Sequence, residues 1–364
     1  MRIAFYSPLK SPDHPVPSGD RLMARLLIAA LRQAGHEVAV ASQLRSFSSA
    51  PDGEGRAAID QAARAEVERL SALWQAGGAP DAWFCYHPYY KAPDLIGPEL
   101  VRRFGLAYVT AEASYSQRRN QGLWADNQAR LASGVERAAV NICLTRRDRD
   151  GLAAAIPGGR YALLQPFIDP AAFLAVDPRP EPHALVTVAM MRPGDKMESY
   201  RMLAAALGRL RHRPWTLAVI GDGALRGEVE ALFSDIDGGR IVWHGERDTA
   251  GIAAVLGASA IYAWPGTGEA YGLAYLEAQA AGLPVVAQAV AGVPEVVRHD
   301  VTGLLTPPGD VAAYAAALDR LLADDALRQD MARAARRFVV EDCAIDRAAL
   351  RLDEILRRHI GERP

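Results

Sequence analysis

The strongest constraint on the fold is a regular alternation of short apolar runs with amphipathic segments. Residues 3–7 form an apolar run typical of a buried strand, residues 21–34 place their apolar side chains on one helical face, and residues 37–41 form the next apolar run. The alternation continues to about residue 155 and begins again at 185–190. Strands that alternate with helices in this way form parallel sheets covered by helices.

A proline-rich segment divides the chain into two parts of similar design. Residues 169–183 contain four prolines, which is typical of a linker between domains. A chain of 364 residues is also long enough for two domains. We therefore predict an α/β protein with two Rossmann-like, doubly wound domains, residues 1–170 and 183–342, that face a central cleft where ligands bind.

The composition excludes several classes of protein. The formal net charge is −2, so nothing indicates a nucleic-acid partner. The three cysteines are scattered, which favours a reducing compartment over a disulfide or metal framework. No apolar run reaches about 18 residues, and the apolar run at the N-terminus is too short for a signal peptide. We expect a cytoplasmic protein without a membrane span or a bound metal.

Two glutamates eight residues apart carry the most information about function. Glu269 is expected in a loop and Glu277 in the second turn of a helix that begins near Gly272. The N-terminus of that helix offers free N–H groups and a positive dipole end, which suit a phosphate. A carboxylate accepts hydrogen bonds from sugar or ribose hydroxyls. The stretch therefore predicts a site for a nucleotide sugar.

Two cations follow the first strand of the second half. Arg192 and Lys196 are expected in the loop at the carboxyl end of that strand. There they would clamp a diphosphate and stabilise the charge on a leaving phosphate. Solvated loop cations are the alternative for such a pair taken alone, and the glutamate stretch downstream favours the clamp.

The first half contributes fewer candidates. Gly19 precedes the first helix, where a glycine lets the backbone approach a phosphate. For Gly19 taken alone, a turn glycine beside Pro17 is the favoured alternative. His87 and Glu112 each lie near the end of a strand. Both are candidates for the acceptor side of the site: His87 could donate a hydrogen bond to a substrate hydroxyl or phosphate, and Glu112 could orient a hydroxyl or act as a base. A structural hydrogen-bonding role is the alternative for both.

Residues from about 185 to 310 resemble glycosyltransferase family four, the retaining enzymes of the GT-B fold. The resemblance follows an ordered series of elements, which is more specific than any one of them: Arg192 with Lys196, Gly221-Asp222-Gly223, His244-Gly245, the segment from Glu269 to Glu277, residues 282–286, residues 292–295 and residues 302–309. The first half resembles the family more loosely, in its strand–loop–helix start with Gly19.

The resemblance implies a role for each matching position. By this resemblance, Glu277 holds the ribose and Glu269 faces the donor sugar. The loop with Glu246 and Arg247 contacts the base. The diphosphate is expected to bind Arg192, Lys196 and the backbone N–H groups of Gly272, Leu273 and Ala274, with Gly19 closing on it from the first domain. The resemblance also implies that the last helix, residues 345–360, packs back on the first domain. No metal or other cofactor is required in that family.

Three positions depart from the pattern of the family. The first loop has a single glycine, in Ser18-Gly19-Asp20, where many relatives have two. Met197 stands where a glycine usually follows the lysine. Thr110-Ala111-Glu112 occupies the place where many relatives have a histidine near the donor sugar. The contribution of the first domain to catalysis, and with it the acceptor, is therefore open.

We predict a retaining, hexosyltransferase-like enzyme. It would move a sugar from a nucleotide-diphosphate donor to a hydroxyl of a glycan, a lipid or a small molecule, in cell-surface polysaccharide, glycolipid or glycoside synthesis. Weak peripheral contact with the inner face of a membrane is a further expectation. The alternatives are a phosphorylase or an epimerase on the same fold, and a non-catalytic relative that binds a nucleotide or a partner.

Overall fold

The computed structural model of the protein describes residues 1–16, 18–50, 55–236 and 238–361, and these divide into two compact units. Unit one consists of Met1–Gln165 together with the chain from Ile345 onward, and unit two of Pro166–Ala344. Residues 166–170, which the sequence assigned to the first domain, therefore belong to unit two. No helix among the described residues is long and apolar enough to cross a membrane.

Unit one contains a six-stranded parallel sheet with the strand order β2-β1-β3-β4-β5-β6. The strands are β1 Arg2–Tyr6, β2 Glu37–Ser42, β3 Ala82–Tyr86, β4 Ala107–Ala111, β5 Val140–Cys143 and β6 Tyr161–Leu163. The helices in the first part of the chain are α1 Gly19–Gln33, α2 Arg56–Gly77, α3 Gly97–Phe104, α4 Leu123–Arg137 and α5 Arg146–Ala155, and a 3₁₀ turn spans Gln117–Arg119.

The central strands of this sheet are apolar because helices cover both of its faces. All five residues of β3 are buried, which fits a parallel strand in the middle of an α/β unit. Helix α1 begins after Ser18, whose side chain accepts a hydrogen bond from the N–H of Arg21 at 3.3 Å. Gln33, at the end of this helix, donates to Asp346 at 2.6 Å, at the start of the last helix of the chain.

Unit two contains a second six-stranded parallel sheet, with the order β12-β11-β10-β7-β8-β9. Its strands are β7 Ala184–Val188, β8 Thr216–Ile220, β9 Ile241–Gly245, β10 Ile261–Ala263, β11 Val285–Gln288 and β12 Gly303–Thr306. The helices are α6 Ala171–Leu174, α7 Asp195–Arg209, α8 Arg226–Phe233, α9 Thr249–Ala258, α10 Leu273–Ala280, α11 Val293–Val296, α12 Val311–Ala323 and α13 Asp325–Phe338. A π-helical segment, Val339–Cys343, precedes the last helix, α14 Ile345–Ile360, which packs on α1 in unit one.

The strand order of unit two creates a topological switch point. The chain adds β8 and β9 on one side of β7, then returns to add β10, β11 and β12 on the other side. Neighbouring β7 and β10 therefore lead into loops that diverge from each other at the carboxyl edge of the sheet. Such a switch point is where open α/β sheets bind ligands. The predicted α/β class with two doubly wound domains is confirmed.

Candidate functional site

The segments that follow β7 and β10 at the switch point of unit two bring Lys196 and Glu269 into contact. Lys196 lies in the first turn of α7, one element later than the loop that the sequence predicted, and Glu269 lies in the loop before α10. The Nζ atom of Lys196 forms an ion pair with Oε1 of Glu269, and the two side chains are only 17% and 19% exposed. The pair is thus held in a mostly buried position at the edge of the sheet.

Trp264 contacts both side chains of this ion pair. Its indole Nε1 donates to the same Oε1 of Glu269 at 3.2 Å, and the Nζ of Lys196 lies 5.4 Å from the centroid of its ring. The ring of Trp264 packs edge-on against Tyr200 with centroids 4.9 Å apart. Sequence reasoning did not select Trp264, because an aromatic residue at the end of an apolar strand is usually a core residue.

Arg192 lies in the turn that follows β7. Its side chain is exposed and forms no hydrogen bond or ion pair with the residues that the structure describes. The turn itself is fixed, since the N–H of Met191 donates to the carbonyl oxygen of Asp222 at 2.9 Å. Gly223 packs against this turn, where an added Cβ would come within 2.2 Å of the oxygen of Met191. The guanidinium of Arg192 therefore extends from a fixed turn and is free to bind a ligand.

Helix α10 begins with an uncapped N-terminus. Gly272 occupies the N-cap position with φ 79°, and no side chain caps the helix. A Cβ at this position would lie 2.6 Å from Cε2 of Tyr275, so both the backbone and the neighbouring ring require glycine. Leu273 and Ala274 follow as the first helical residues. Their N–H groups lie at the positive end of the helix dipole and suit an anion.

Glu277 lies in the second turn of the same helix, as the sequence predicted. Its side chain is partly buried and forms no hydrogen bond or ion pair with any residue in the described part of the chain. Burial raises the pKa of the Glu277 carboxyl to about 7. An unpaired carboxylate in such a position is costly unless a ligand donates hydrogen bonds to it, which makes Glu277 a candidate binding group.

The remaining candidates of unit two lie at the same edge of the sheet. Glu246 and Arg247 are exposed in the loop between β9 and α9. Strand β9 is two strands from β7, a separation of about 10 Å. The structure places these two residues at the carboxyl edge but gives them no contact with Lys196 or Glu277.

Gly19 is the exposed first residue of α1 in unit one. A Cβ added to it would meet nothing within 4 Å, and its φ lies outside the left-handed region. Neither the backbone conformation nor the packing of unit one therefore requires glycine at position 19.

His87 and Glu112 lie directly after the neighbouring strands β3 and β4, and both adopt the left-handed backbone, with φ 57° and 56°. The Nδ1 atom of His87 lies 2.9 Å from Oδ1 of Asp20, in the first turn of α1. Sequence reasoning missed Asp20, because an acidic residue in the first turn of a helix is explained by the helix dipole alone.

Two parallel doubly wound sheets, with a lysine–glutamate pair and an uncapped helix N-terminus at a switch point, are the arrangement expected of a glycosyltransferase of the GT-B type. Comparison with known proteins names the family. Residues 182–324 match the family model described as Glycosyl transferases group 1. The second half of the chain thus matches that family, and the resemblance to glycosyltransferase family four is confirmed.

The chain is similar to two bacterial proteins named D-inositol 3-phosphate glycosyltransferase. It is 45% identical to that of Salinispora arenicola (strain CNS-205) over 24% of this chain and 19% of that protein. It is 28% identical to that of Arthrobacter sp. (strain FB24) over 92% of this chain and 90% of that protein. The first match thus covers less than a fifth of the relative, and the second covers nearly all of it.

A solved structure shares the fold. Anabaena Alr3699/HepE in complex with UDP matches with a TM-score of 0.72 and 17% identity, over 98% of this chain and all of that chain. At this identity the similarity establishes the fold.

Proposed function

We propose that the enzyme moves a sugar from a nucleoside diphosphate sugar to an acceptor hydroxyl, with retention of configuration at the anomeric carbon. The observation that carries the proposal is the ion pair of Lys196 with Glu269, three residues before the uncapped N-terminus of α10. A fixed cation and a row of free amides suit a diphosphate. The solved relative with UDP bound supports a uridine nucleotide as the first donor to test.

The reacting groups follow from this arrangement. The bond between the anomeric carbon and the phosphate oxygen breaks, the acceptor oxygen bonds to that carbon, and the departing diphosphate takes the acceptor proton. Lys196, Arg192 and the N–H groups of Leu273 and Ala274 stabilise the charge that develops on the diphosphate. Glu277 accepts hydrogen bonds from ribose hydroxyls.

Glu269 accepts hydrogen bonds from the donor sugar. Its carboxylate is already oriented by Lys196 and Trp264, so it loses little freedom when the sugar binds. Because cationic and dipolar groups of the protein supply the positive charge, we also propose that transfer needs no metal ion. Activity that persists in the presence of a chelator would support this point.

Nucleotide binding tests the assigned site. Calorimetry with UDP, GDP and ADP, and then with their glucose conjugates, identifies the preferred nucleotide. Lys196→Ala and Glu277→Gln are each expected to weaken its binding by about tenfold or more, since each removes a charged contact. Arg209→Ala is the matched control, because Arg209 is exposed at the other end of α7, about 20 Å along the helix from Lys196. Equal affinities for wild type and both site variants would refute the assignment.

Product analysis separates the alternatives. A glycosyltransferase releases the nucleoside diphosphate faster when an acceptor extract is added. A phosphorylase requires inorganic phosphate, an epimerase forms product without any acceptor, and a non-catalytic relative releases no nucleotide. The class of acceptor, and peripheral contact with a membrane, stay predictions.

A further inference from the structure

The carboxyl edge of the sheet in unit one carries a cluster of titratable side chains that the donor site does not use. The His87 cluster consists of Asp20 in the first turn of α1, His87 after β3 and Glu112 after β4. Since β3 and β4 are paired neighbours, residues that follow them directly lie close together. Three separate elements thus converge on one imidazole ring.

The ring of His87 is fixed on one side and open on the other. Nδ1 hydrogen-bonds Oδ1 of Asp20 at 2.9 Å, and the ring lies 5.3 Å from that of Tyr89. Nε2 forms no hydrogen bond with the described residues, and the side chain is 22% exposed. When the ring is protonated, Nδ1–H donates to Asp20 and Nε2–H is left to donate to a ligand.

The neighbouring charges favour the protonated ring. Burial lowers the pKa of His87, but the hydrogen bond to Asp20 and the charges of Glu112, Asp20 and Asp148 outweigh burial, so the pKa is raised. These carboxylates come from α1, from the end of β4 and from α5. In return, although burial raises the pKa of Asp20, its hydrogen bond and charge interaction with His87 lower that pKa overall. Asp20 and His87 therefore stabilise each other's charged forms.

Glu112 contributes the observation that points to a ligand. Its Oε2 atom is buried and has no hydrogen-bond partner among the described residues. Burial raises the pKa of this carboxyl, while the charge of His87 and a hydrogen bond from Tyr86 oppose that rise. A buried carboxyl oxygen without a partner is costly, and a hydroxyl group from a bound molecule would remove the cost.

We propose that Asp20 is a positioning residue, which holds His87 so that Nε2 donates to an acceptor oxygen while Oε2 of Glu112 accepts from a hydroxyl of the same acceptor. The acceptor would therefore be a molecule with at least two neighbouring oxygens, one of them a hydroxyl, as in a sugar or a cyclic polyol. This inference rests on the proposed sugar transfer.

The decisive measurement is the titration of His87 by NMR of its ring nitrogens in the full-length protein. His87→Gln identifies the signals of His87 among those of the eight histidines. Asp20→Asn keeps an oxygen at the position of Oδ1 but removes the charge, so the pKa of His87 is expected to fall. Asp126→Asn is the matched control, because Asp126 also lies in the first turn of a helix, α4, but is exposed and is not among the charges that shift the pKa of His87. An unchanged His87 titration in Asp20→Asn would overturn the proposal.

A second measurement tests whether the protonated ring of His87 contributes to sugar transfer. With the donor identified by calorimetry, nucleotide release in the presence of an acceptor extract is followed from pH 6 to pH 9. Asp20→Asn is expected to lose about tenfold in rate relative to wild type at the alkaline end of this range and less at the acidic end, because its histidine loses its proton at a lower pH. Asp20→Glu should recover part of the loss, because it restores the charge.

These two measurements distinguish failure of the positioning role of Asp20 from failure of the proposed sugar transfer. If the histidine titration shifts but the rate falls equally at all pH values, Asp20 has only a structural role and the proposal is wrong. If no nucleotide sugar binds or reacts, the proposed function fails, and the NMR titration still decides whether Asp20 holds His87 in its charged form.

Discussion

Replacing Glu277 by glutamine is expected to stabilise the free protein at pH 8. The reason is that the folded protein holds this carboxyl in a partly buried position without a hydrogen-bond partner among the described residues, with a pKa of about 7. In the unfolded chain its pKa is the ordinary value of 4.5. Between these two values the unfolded chain ionises while the folded protein stays protonated, so stability is lost as the pH rises from 4.5 to about 7.

The size of the effect follows from the two pKa values. Their difference is about 2.5 units, and each unit corresponds to about 1.4 kcal/mol, which gives roughly 3 kcal/mol as an upper value. Partial access of solvent to the Glu277 carboxyl reduces this value. We therefore expect Glu277→Gln to gain about 2 kcal/mol of stability at pH 8 and less than about 1 kcal/mol at pH 5. Glutamine cannot ionise and avoids this cost.

Urea unfolding at pH 5 and pH 8, followed by tryptophan fluorescence, measures the difference. Glu277→Gln should gain stability over wild type at pH 8 and little at pH 5. Glu181→Gln is the control, since Glu181 is exposed in the loop before β7 and its replacement should change neither value. An equal gain or loss at both pH values would mean that the Glu277 carboxylate is already solvated or paired, and the reasoning from burial would be wrong.

Two other predictions concern glycine and histidine. Gly223→Ala is expected to lower the free energy of unfolding by about 2 kcal/mol or more, because φ is 155° and the new Cβ would meet the oxygen of Met191 at 2.2 Å. Gly19→Ala should leave the melting temperature unchanged and lower the rate of sugar transfer. Equal melting temperatures for Gly223→Ala and Gly19→Ala would contradict the steric argument. Burial lowers the pKa of His36, so the folded protein resists its protonation and should lose stability as the pH falls below about 6.5. His36→Gln should reduce this loss in melting curves at pH 5.5 and 7.5, and parallel curves would show that His36 does not contribute.

Much of the architecture could be predicted from the sequence because it depends on local patterns. The apolar runs that became β1 and β7 recur with the spacing of alternating strands and helices, and this spacing fixed the α/β class. The helix that carries Glu277 could also be predicted, since Gly272 marks its start and thereby places Glu277 in its second turn. The same local reasoning failed for Lys196, which belongs to α7 because Gly194 at the N-cap, with φ 83°, lets the helix begin one residue before the lysine.

The chain's own sequence determined which segments became strands and helices, and it marked both glutamates, both cations and Gly272. Only the tertiary structure decided which of these groups meet. Lys196 and Glu269 are 73 residues apart and pair because β10 returns to the free side of β7. Asp20 and His87 are 67 residues apart and pair because α1 follows β1 in the chain and β3 pairs with β1. Periodicity acts over a few residues, whereas strand order is set by the pairing and burial of whole strands, so contacts across a switch point are fixed only when the sheet assembles.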